Sequence, residues 1–270
     1  MKHYIMMLGV ALASTLVSCN RDQEPEINSN ETNQVTLKFE NIFNQQTMTG
    51  LSGTYTSSSG QKHQFSKLKY IVSDVILTKT DGTEVKYHYS DPDQGAYIVD
   101  QEENSLTHNF VMENIPAGDY KTVRFGLGIS PEAYVLGQDK QAKFWDKAKK
   151  SDMDWSWASG YKFVNFEGSY GDNLSEHFQI HIANMGDPAK SNTPNVYKVV
   201  SIDLPQTAKV RKNIAPKIHI MADINHFLSG QHKIELKLDN ATAMHPKAQI
   251  IQQTADNLSK MFRVDHVHND

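Results

Sequence analysis

"KLKYIVSDVILTKTDGTEVKYHY", residues 67–89, contains two runs of β-forming residues joined by a turn. Residues 67–79 form the first run, and EVKYHY at 84–89 forms the second. Between them stands TDGT, and Asp-Gly between such runs is a strong signal for a hairpin. The stretch therefore predicts two antiparallel strands that turn at residues 80–83.

Strand patterns continue along most of the chain. "FVMENIPAGDYKTVRFGLGIS" at 110–130 predicts a second hairpin, with its turn at 116–118 and Val123, Phe125 and Leu127 on one face. Further runs of strand character are VTLKF (35–39), HFQIHI (177–182), VYKVVSIDL (196–204), KIHIMADI (217–224) and HKIELKL (232–238). Many short strands separated by turns predict a mainly β protein with an antiparallel β-sandwich fold.

Two segments have helical rather than strand periodicity. "DKQAKFWDKAKK" at 139–150 predicts a short amphipathic helix in an insertion. Near the C-terminus, Ile251, Ala255, Leu258 and Phe262 recur at helical spacing after Pro246, and proline is tolerated in a first helical turn.

The N-terminus has the pattern of a bacterial lipoprotein signal. An apolar run of about 13 residues is too short to span a membrane, which takes about 20 helical residues. It ends in Leu-Val-Ser-Cys at 16–19, which predicts a signal peptide at 1–18 and lipidation of Cys19. The alternative is a plain signal peptide with a chance cysteine. Because Cys19 is the only cysteine, no intramolecular disulfide can form.

The remaining chain divides into a tether and one domain. Residues 19–34 are polar after Cys19 and predict a disordered tether, and 35–270 predict a single folded domain. Asn20 after the cysteine favours the outer membrane within the cell envelope. The formal net charge is only −4 and no basic run stands out, so nucleic acid is not an expected partner.

The sequence lacks the common catalytic motifs. It contains no Gly-rich phosphate loop, no Gly-x-Ser-x-Gly elbow and no His-Glu-x-x-His helix. We therefore expect a protein that is not an enzyme.

Histidines near the C-terminus suggest a metal site. His266 and His268 lie one residue apart on an extended segment, so they project to the same side, about 6.6 Å apart. Met244 and His245 add a thioether and an imidazole, a donor set that favours copper over magnesium or calcium. The alternative is a frayed polar tail.

His181 is a further candidate ligand on a predicted strand. It stands four residues after His177, and on a strand that spacing is about 13 Å, too far for both rings to bind one ion. At most one of the two is a ligand, and a solvated histidine is the alternative. The remaining histidines are expected to be ordinary surface or strand residues: His63, His88, His108, His219, His226 and His232.

"MDWSWASGYKF" at 153–163 places Trp155 and Trp157 one residue apart. On a strand they would share a face with Met153, and packing on the core is the simplest interpretation of that face. The alternative is a reactive aromatic pair held for a purpose.

An ordered set of segments resembles the MbnP-like family. The segments are LKYIVSDVILTKTDG, YIVD, NIPAGDYKTVRFGLGI, MDWSWASGYKFVNFEG and FQIHI, within residues 65–182. The C-terminal MHPKAQIIQQTADNLSKMF with its DHVH ending is similar to a lipoprotein branch of the family.

That resemblance implies a β-rich, periplasmic or lipid-anchored copper-binding protein. It also implies a partner, a dihaem protein of the cytochrome c peroxidase type, that oxidises a tryptophan to kynurenine. Trp155 and Trp157 match the two motif tryptophans, and either is a candidate for the modification.

We therefore expect a lipid-anchored copper-binding protein of the cell envelope. The candidate ligands are His181, His245, His266 and His268. The alternative is a surface lipoprotein that binds a protein or glycan without metal.

Overall fold

The computed structural model describes residues 26–101, 106–155, 160–184 and 195–270. The predicted signal segment 1–18, Cys19 and Trp157 lie outside these residues. The described chain is mainly β and forms two packed sheets, so the predicted β-sandwich is confirmed. Within the same ranges no helix combines the length and the apolar character needed to cross a bilayer.

The smaller sheet is built around a long N-terminal strand. In spatial order its described strands are β14 (Phe262–His268), β12 (Lys217–Asp223), β1 (Thr32–Phe43) and β2 (Gln46–Thr47), and β7 (His108–Pro116) also pairs with β1. β1 pairs in parallel with β12 and antiparallel with β7, so the sheet is mixed rather than wholly antiparallel. β1 begins at Thr32, so residues 32–34, expected in the tether, belong to the folded domain.

The larger sheet is centred on an 18-residue strand. In spatial order its described strands are β11 (Lys198–Val210), β8 (Gly118–Leu127), β4 (Lys62–Lys79), β9 (Lys162–Tyr170), β10 (Glu176–Ala183) and β13 (Thr242–Ala243), and the short strands β3 (Thr54–Thr56), β5 (Glu84–Lys86) and β6 (Tyr97–Asp100) also pair with β4. β4 and β5 form the predicted hairpin, with Thr78 opposite Glu84.

Apolar residues that alternate along the strands fill the space between the two sheets. Phe39 of β1 and Phe125 of β8 meet edge to face, with ring centroids 5.8 Å apart. Phe262 of β14 packs against both rings and against Tyr70 of β4. Polar residues at the alternate positions therefore face away from the core, on the outer face of each sheet.

The predicted second hairpin is wrong. β7 pairs with β1 in the smaller sheet, whereas β8 pairs with β4 and β11 in the larger one. Ala117 between them lies where the chain crosses from one sheet to the other, and its N–H donates to the carbonyl of Glu31. The Tyr120 hydroxyl donates to the Pro116 carbonyl at 2.6 Å across this corner. Val123, Phe125 and Leu127 are buried together as predicted.

The expected strand at 232–238 is also wrong. Ile234 and Leu236 are buried, but the segment joins no sheet ladder beyond an isolated bridge at Lys233. The side-chain amide of Gln61 takes the place of a neighbouring strand, because it donates to and accepts from the backbone of Leu236 at 2.9 Å each way.

The described helices are short and lie outside the sheets. They are α1 (Pro92–Gly95), α2 (Pro131–Tyr134), α3 (Ala142–Lys150), α4 (His226–Ser229) and α5 (Gln249–Leu258), with a 3-10 turn at Gln138–Gln141 before α3. α3 and α5 confirm the two helical predictions. α5 begins three residues after Pro246, and Phe262, expected on this helix, is the first residue of β14.

Candidate metal centres

Three histidines lie together on the outer face of the smaller sheet. His219 of β12 is the cross-strand partner of His266 of β14, and the next register pair is Ile220 with Val264. Asp265 is therefore the extra residue of a β-bulge, which re-aims nearby side chains. His268 lies two residues after His266 and projects to the same face. The ring centroid of His266 is 4.8 Å from that of His219 and 4.5 Å from that of His268.

Carboxylates hold two of the three rings. Glu40 Oε2 lies 2.8 Å from His219 Nε2, and Glu40 Oε1 accepts a hydrogen bond from the Thr47 hydroxyl at 2.5 Å. Asp265 Oδ2 lies 2.7 Å from His266 Nδ1. Among the described residues, one potential ligand atom each from His219, Asp265 and His266 lies within 4.8 Å of the others.

His219 is the buried member of this group. Its side chain is 7% exposed, and burial lowers its pKa, as does the nearby charge of Lys38. Its Nδ1 is buried, and no hydrogen-bond partner for it exists among the described residues. A neutral imidazole with one nitrogen held by a carboxylate and the other unpaired has the form of a metal ligand.

The structure brings two of the four predicted ligand candidates together at this cluster. It brings His266 and His268 together, with their Nε2 atoms 2.9 Å apart, on a paired strand rather than a frayed tail. His219, expected to be ordinary, joins them, because strand pairing brings β12 beside β14. His245 lies elsewhere, exposed before α5, where its Nδ1 accepts the backbone N–H of Lys247 at 3.2 Å.

His181 lies on the larger sheet, beside Trp155, which is one of the two candidates for modification. It projects from β10 on the face opposite Ile180 and Ile182, and its Nε2 lies 3.0 Å from Glu167 Oε1. The ring centroids of His181 and Trp155 are 5.8 Å apart. The Nδ1 atom of His181 is buried without a hydrogen-bond partner among the described residues.

A network of charges surrounds this pair. Lys162 Nζ lies 5.4 Å from the centre of the Trp155 ring, a cation–π contact, and 2.7 Å from Asp152 Oδ1. Lys67 Nζ bridges Asp152 Oδ2 and Glu167 Oε1, at 2.5 and 3.2 Å. Burial alone would raise the pKa of Asp152, but hydrogen bonds from Lys162 and Lys67 lower it to about 2.

Both rings of the pair are shielded from water. Trp155 is 5% exposed and His181 is 6% exposed. Burial lowers the pKa of His181, and the hydrogen bond to Glu167 only partly opposes that effect. Trp155 lies against these polar groups, whereas Met153 of the same stretch is fully buried in the apolar core. The indole ring of Trp155 and the imidazole ring of His181 therefore form a second place where a metal could be held.

Comparison with known proteins agrees with this architecture. The sequence profile of the MbnP family matches residues 32–247. Among solved structures, MbnP from Methylosinus trichosporium is similar in fold, with a TM-score of 0.54 over 88% of this chain and 99% of that chain at 12% sequence identity. No curated protein matches the chain. Because the profile covers most of the chain, from β1 to the residues before α5, this protein belongs to the MbnP family.

Proposed function

We propose that this protein binds copper in the cell envelope, that it is held there by a lipid on Cys19, and that it is not itself an enzyme. The observation that carries the proposal is the buried pair of Trp155 and His181, with ring centroids 5.8 Å apart, inside the residues that match the MbnP family. The association of MbnP-like proteins with copper supports the choice of metal.

The residues at this pair fit a copper ion. Glu167 accepts from Nε2–H of His181, which leaves the lone pair on the buried Nδ1, and carboxylates orient metal-binding histidines in this way. Neutral imidazole suits copper, whereas burial disfavours the protonated ring that could not bind it.

The tryptophan needs modification before it can contribute a ligand. Indole nitrogen is a poor ligand because its lone pair belongs to the ring. Oxidation to kynurenine opens the five-membered ring and leaves an aniline nitrogen on the same side chain, beside His181. We assign this oxidation to a partner dihaem protein of the cytochrome c peroxidase type, with peroxide as the oxidant and the expelled ring carbon released as formic acid. Trp155 and Trp157 are the two candidates.

Lys162 has a defined place in this proposal. Its ammonium group lies over the Trp155 ring and is fixed by Asp152 at 2.7 Å. It stabilises electron density on the aromatic face.

The test combines mass spectrometry with copper analysis. The complete chain is produced with and without the partner peroxidase, and the peptide that contains Trp155 and Trp157 is sequenced. Kynurenine is recognised because the residue gains one oxygen atom and loses one carbon atom. We expect the modification only with the peroxidase present, and copper retention to depend on it.

His181→Gln and His177→Gln form a matched pair of variants. Both histidines lie on β10, but His177 is exposed, whereas His181 is buried beside Trp155. We expect His181→Gln to lose the copper that modified protein retains, and His177→Gln to keep it. Unmodified tryptophans in native protein, or equal copper retention in both folded variants, would remove this assignment.

A further inference from the structure

The cluster on the smaller sheet is separate from the Trp155 and His181 pair. His219 lies on β12, whereas His266 and His268 lie on β14, which begins after the last residue matched by the MbnP profile. The Trp155 and His181 pair is on the larger sheet, on the other side of the apolar core. An ion at one centre therefore needs no residue of the other.

Hydrogen bonding fixes where the lone pairs of these rings lie. Ionised carboxylates only accept hydrogen bonds, so Glu40 places the proton of His219 on Nε2, and Asp265 places that of His266 on Nδ1. The lone pairs are left on His219 Nδ1, which is buried and unpaired among the described residues, and on His266 Nε2. Each carboxylate is itself fixed, Glu40 by Thr47 and Asp265 by Arg263.

The spacing of two ring nitrogens matches the spacing of two metal ligands. His266 Nε2 and His268 Nε2 are 2.9 Å apart. Two nitrogens that each lie about 2.0 Å from one ion are about 2.8 Å apart at a right angle and about 3.3 Å apart at the tetrahedral angle. His219 is a third imidazole beside them, with its ring centroid 4.8 Å from that of His266.

The donor chemistry selects the class of metal. Imidazole nitrogens with carboxylates behind them suit divalent ions such as Cu²⁺ and Zn²⁺. In the Irving–Williams order Cu²⁺ binds such nitrogen sites more tightly than Zn²⁺.

We infer that His219, His266 and His268 form a second metal site that binds one divalent transition-metal ion, Cu²⁺ in preference to Zn²⁺. Asp265 and Glu40 are its positioning residues, since each holds the proton-bearing nitrogen of one imidazole. The site is independent of the proposed function, and neither its success nor its failure decides the kynurenine centre.

The test uses the complete chain with Cys19→Ser, which removes the thiol as a competing copper ligand. Cu²⁺ is titrated against a competing chelator, and electron paramagnetic resonance reports nitrogen couplings from bound imidazoles. We expect one tight Cu²⁺ ion with coupling to two or three nitrogens in protein whose tryptophans are unmodified. The signal persists in His181→Gln, which separates this site from the other centre.

Two double variants decide the assignment. His266→Ala with His268→Ala removes two exposed or half-buried imidazoles of the cluster, and His177→Ala with His245→Ala removes two exposed imidazoles elsewhere. We expect the first pair to lose the tight ion and the second to keep it. Asp265→Asn is expected to weaken binding by about 10–100-fold while leaving the ligands in place.

Two results would contradict the second metal site. Cu²⁺ affinity that falls alike in both double variants would reduce the cluster to ordinary surface histidines. If the protein with an unchanged cluster binds no Cu²⁺ tightly, then the contact between His266 and His268 is a hydrogen bond and not a metal site. Circular dichroism of each variant confirms that the sheets remain folded.

Discussion

His63 is a buried histidine whose neighbours are aromatic rather than charged. It is 1% exposed, and the ring centroids of Phe43, Tyr55 and Phe65 lie within 6.1 Å of its own. Burial lowers its pKa from 6.5 to about 4, and a backbone hydrogen bond at Gln61 opposes this only in part. The folded protein therefore keeps this ring neutral at a pH where the unfolded chain would protonate it.

This predicts a loss of stability in weak acid. Between pH 6.5 and about 4 the unfolded state binds the extra proton, so the free energy of unfolding falls as the pH falls. At about 1.36 kcal/mol per pKa unit the loss amounts to about 3 kcal/mol. Urea unfolding at a series of pH values should show this slope in the unchanged chain and a shallower slope in His63→Phe. Identical slopes would contradict the prediction.

Sequence reasoning at the residue scale succeeds where neighbours in the chain decide the outcome. His266 and His268 could be placed on one side of an extended segment because alternation is local. His219 could not be added to them, since its place beside His266 depends on which strands pair and in what register. A histidine at an outward position of a strand is the one signal that His219 offers in the sequence.

At the scale of elements, β14 shows that the C-terminal strand is part of the core. Its first residue, Phe262, packs its ring 5.0 Å from that of Phe125 and 5.8 Å from that of Tyr70. The strand lies beyond residue 247, where the match to the MbnP profile ends. The fold of this chain therefore depends on residues outside the matched region.

We expect Phe262→Ala to lower the free energy of unfolding by about 3–5 kcal/mol, because it removes a ring from between the sheets. Arg263→Ala, at the adjacent exposed position, should change it by no more than about 0.5 kcal/mol. Chemical unfolding of the two variants provides the comparison. A similar small effect for both would show that β14 is a dispensable edge.

The corner between β7 and β8 leads us to predict a smaller change in the free energy of unfolding. The Tyr120 hydroxyl donates to the Pro116 carbonyl at 2.6 Å, and Tyr120→Phe removes that bond without removing the ring. We expect a loss of about 0.5–1.5 kcal/mol in the free energy of unfolding. Tyr89→Phe, at an exposed ring, is the control and should be neutral. A neutral Tyr120→Phe would mean that the corner is held by its backbone alone.

The elements show why local signals predict some connections and not others. Asp81 and Gly82 specify a tight turn, and the strands on either side do pair. Pro116, Ala117 and Gly118 also specify a bend, but no local signal says whether the next strand returns to the same sheet. The helical spacing of Ile251 and Leu258 likewise predicts α5 correctly, whereas Phe262 matches the helical period by chance and lies on a strand.

At the scale of the whole molecule, the proposed anchor predicts where the protein is found. Acyl chains on Cys19 would stabilise membrane attachment by about 0.8 kcal/mol per buried CH2 group. In detergent phase separation of cell extracts, the unchanged chain should enter the detergent-rich phase and Cys19→Ser the aqueous phase. Asn20→Ser, beside the anchor, should behave like the unchanged chain. Equal partition of Cys19→Ser and the unchanged chain would exclude the lipid.

The position of β1 in the smaller sheet has a mechanical consequence. This strand is the first element in the described part of the chain, and it lies between β7 and β12 rather than at an edge. A pulling force transmitted through the residues before Thr32 acts along the strand, so it loads the hydrogen bonds to both neighbours in shear and at the same time. Rupture then requires many bonds to fail together, whereas a terminal edge strand could be peeled away one bond after another.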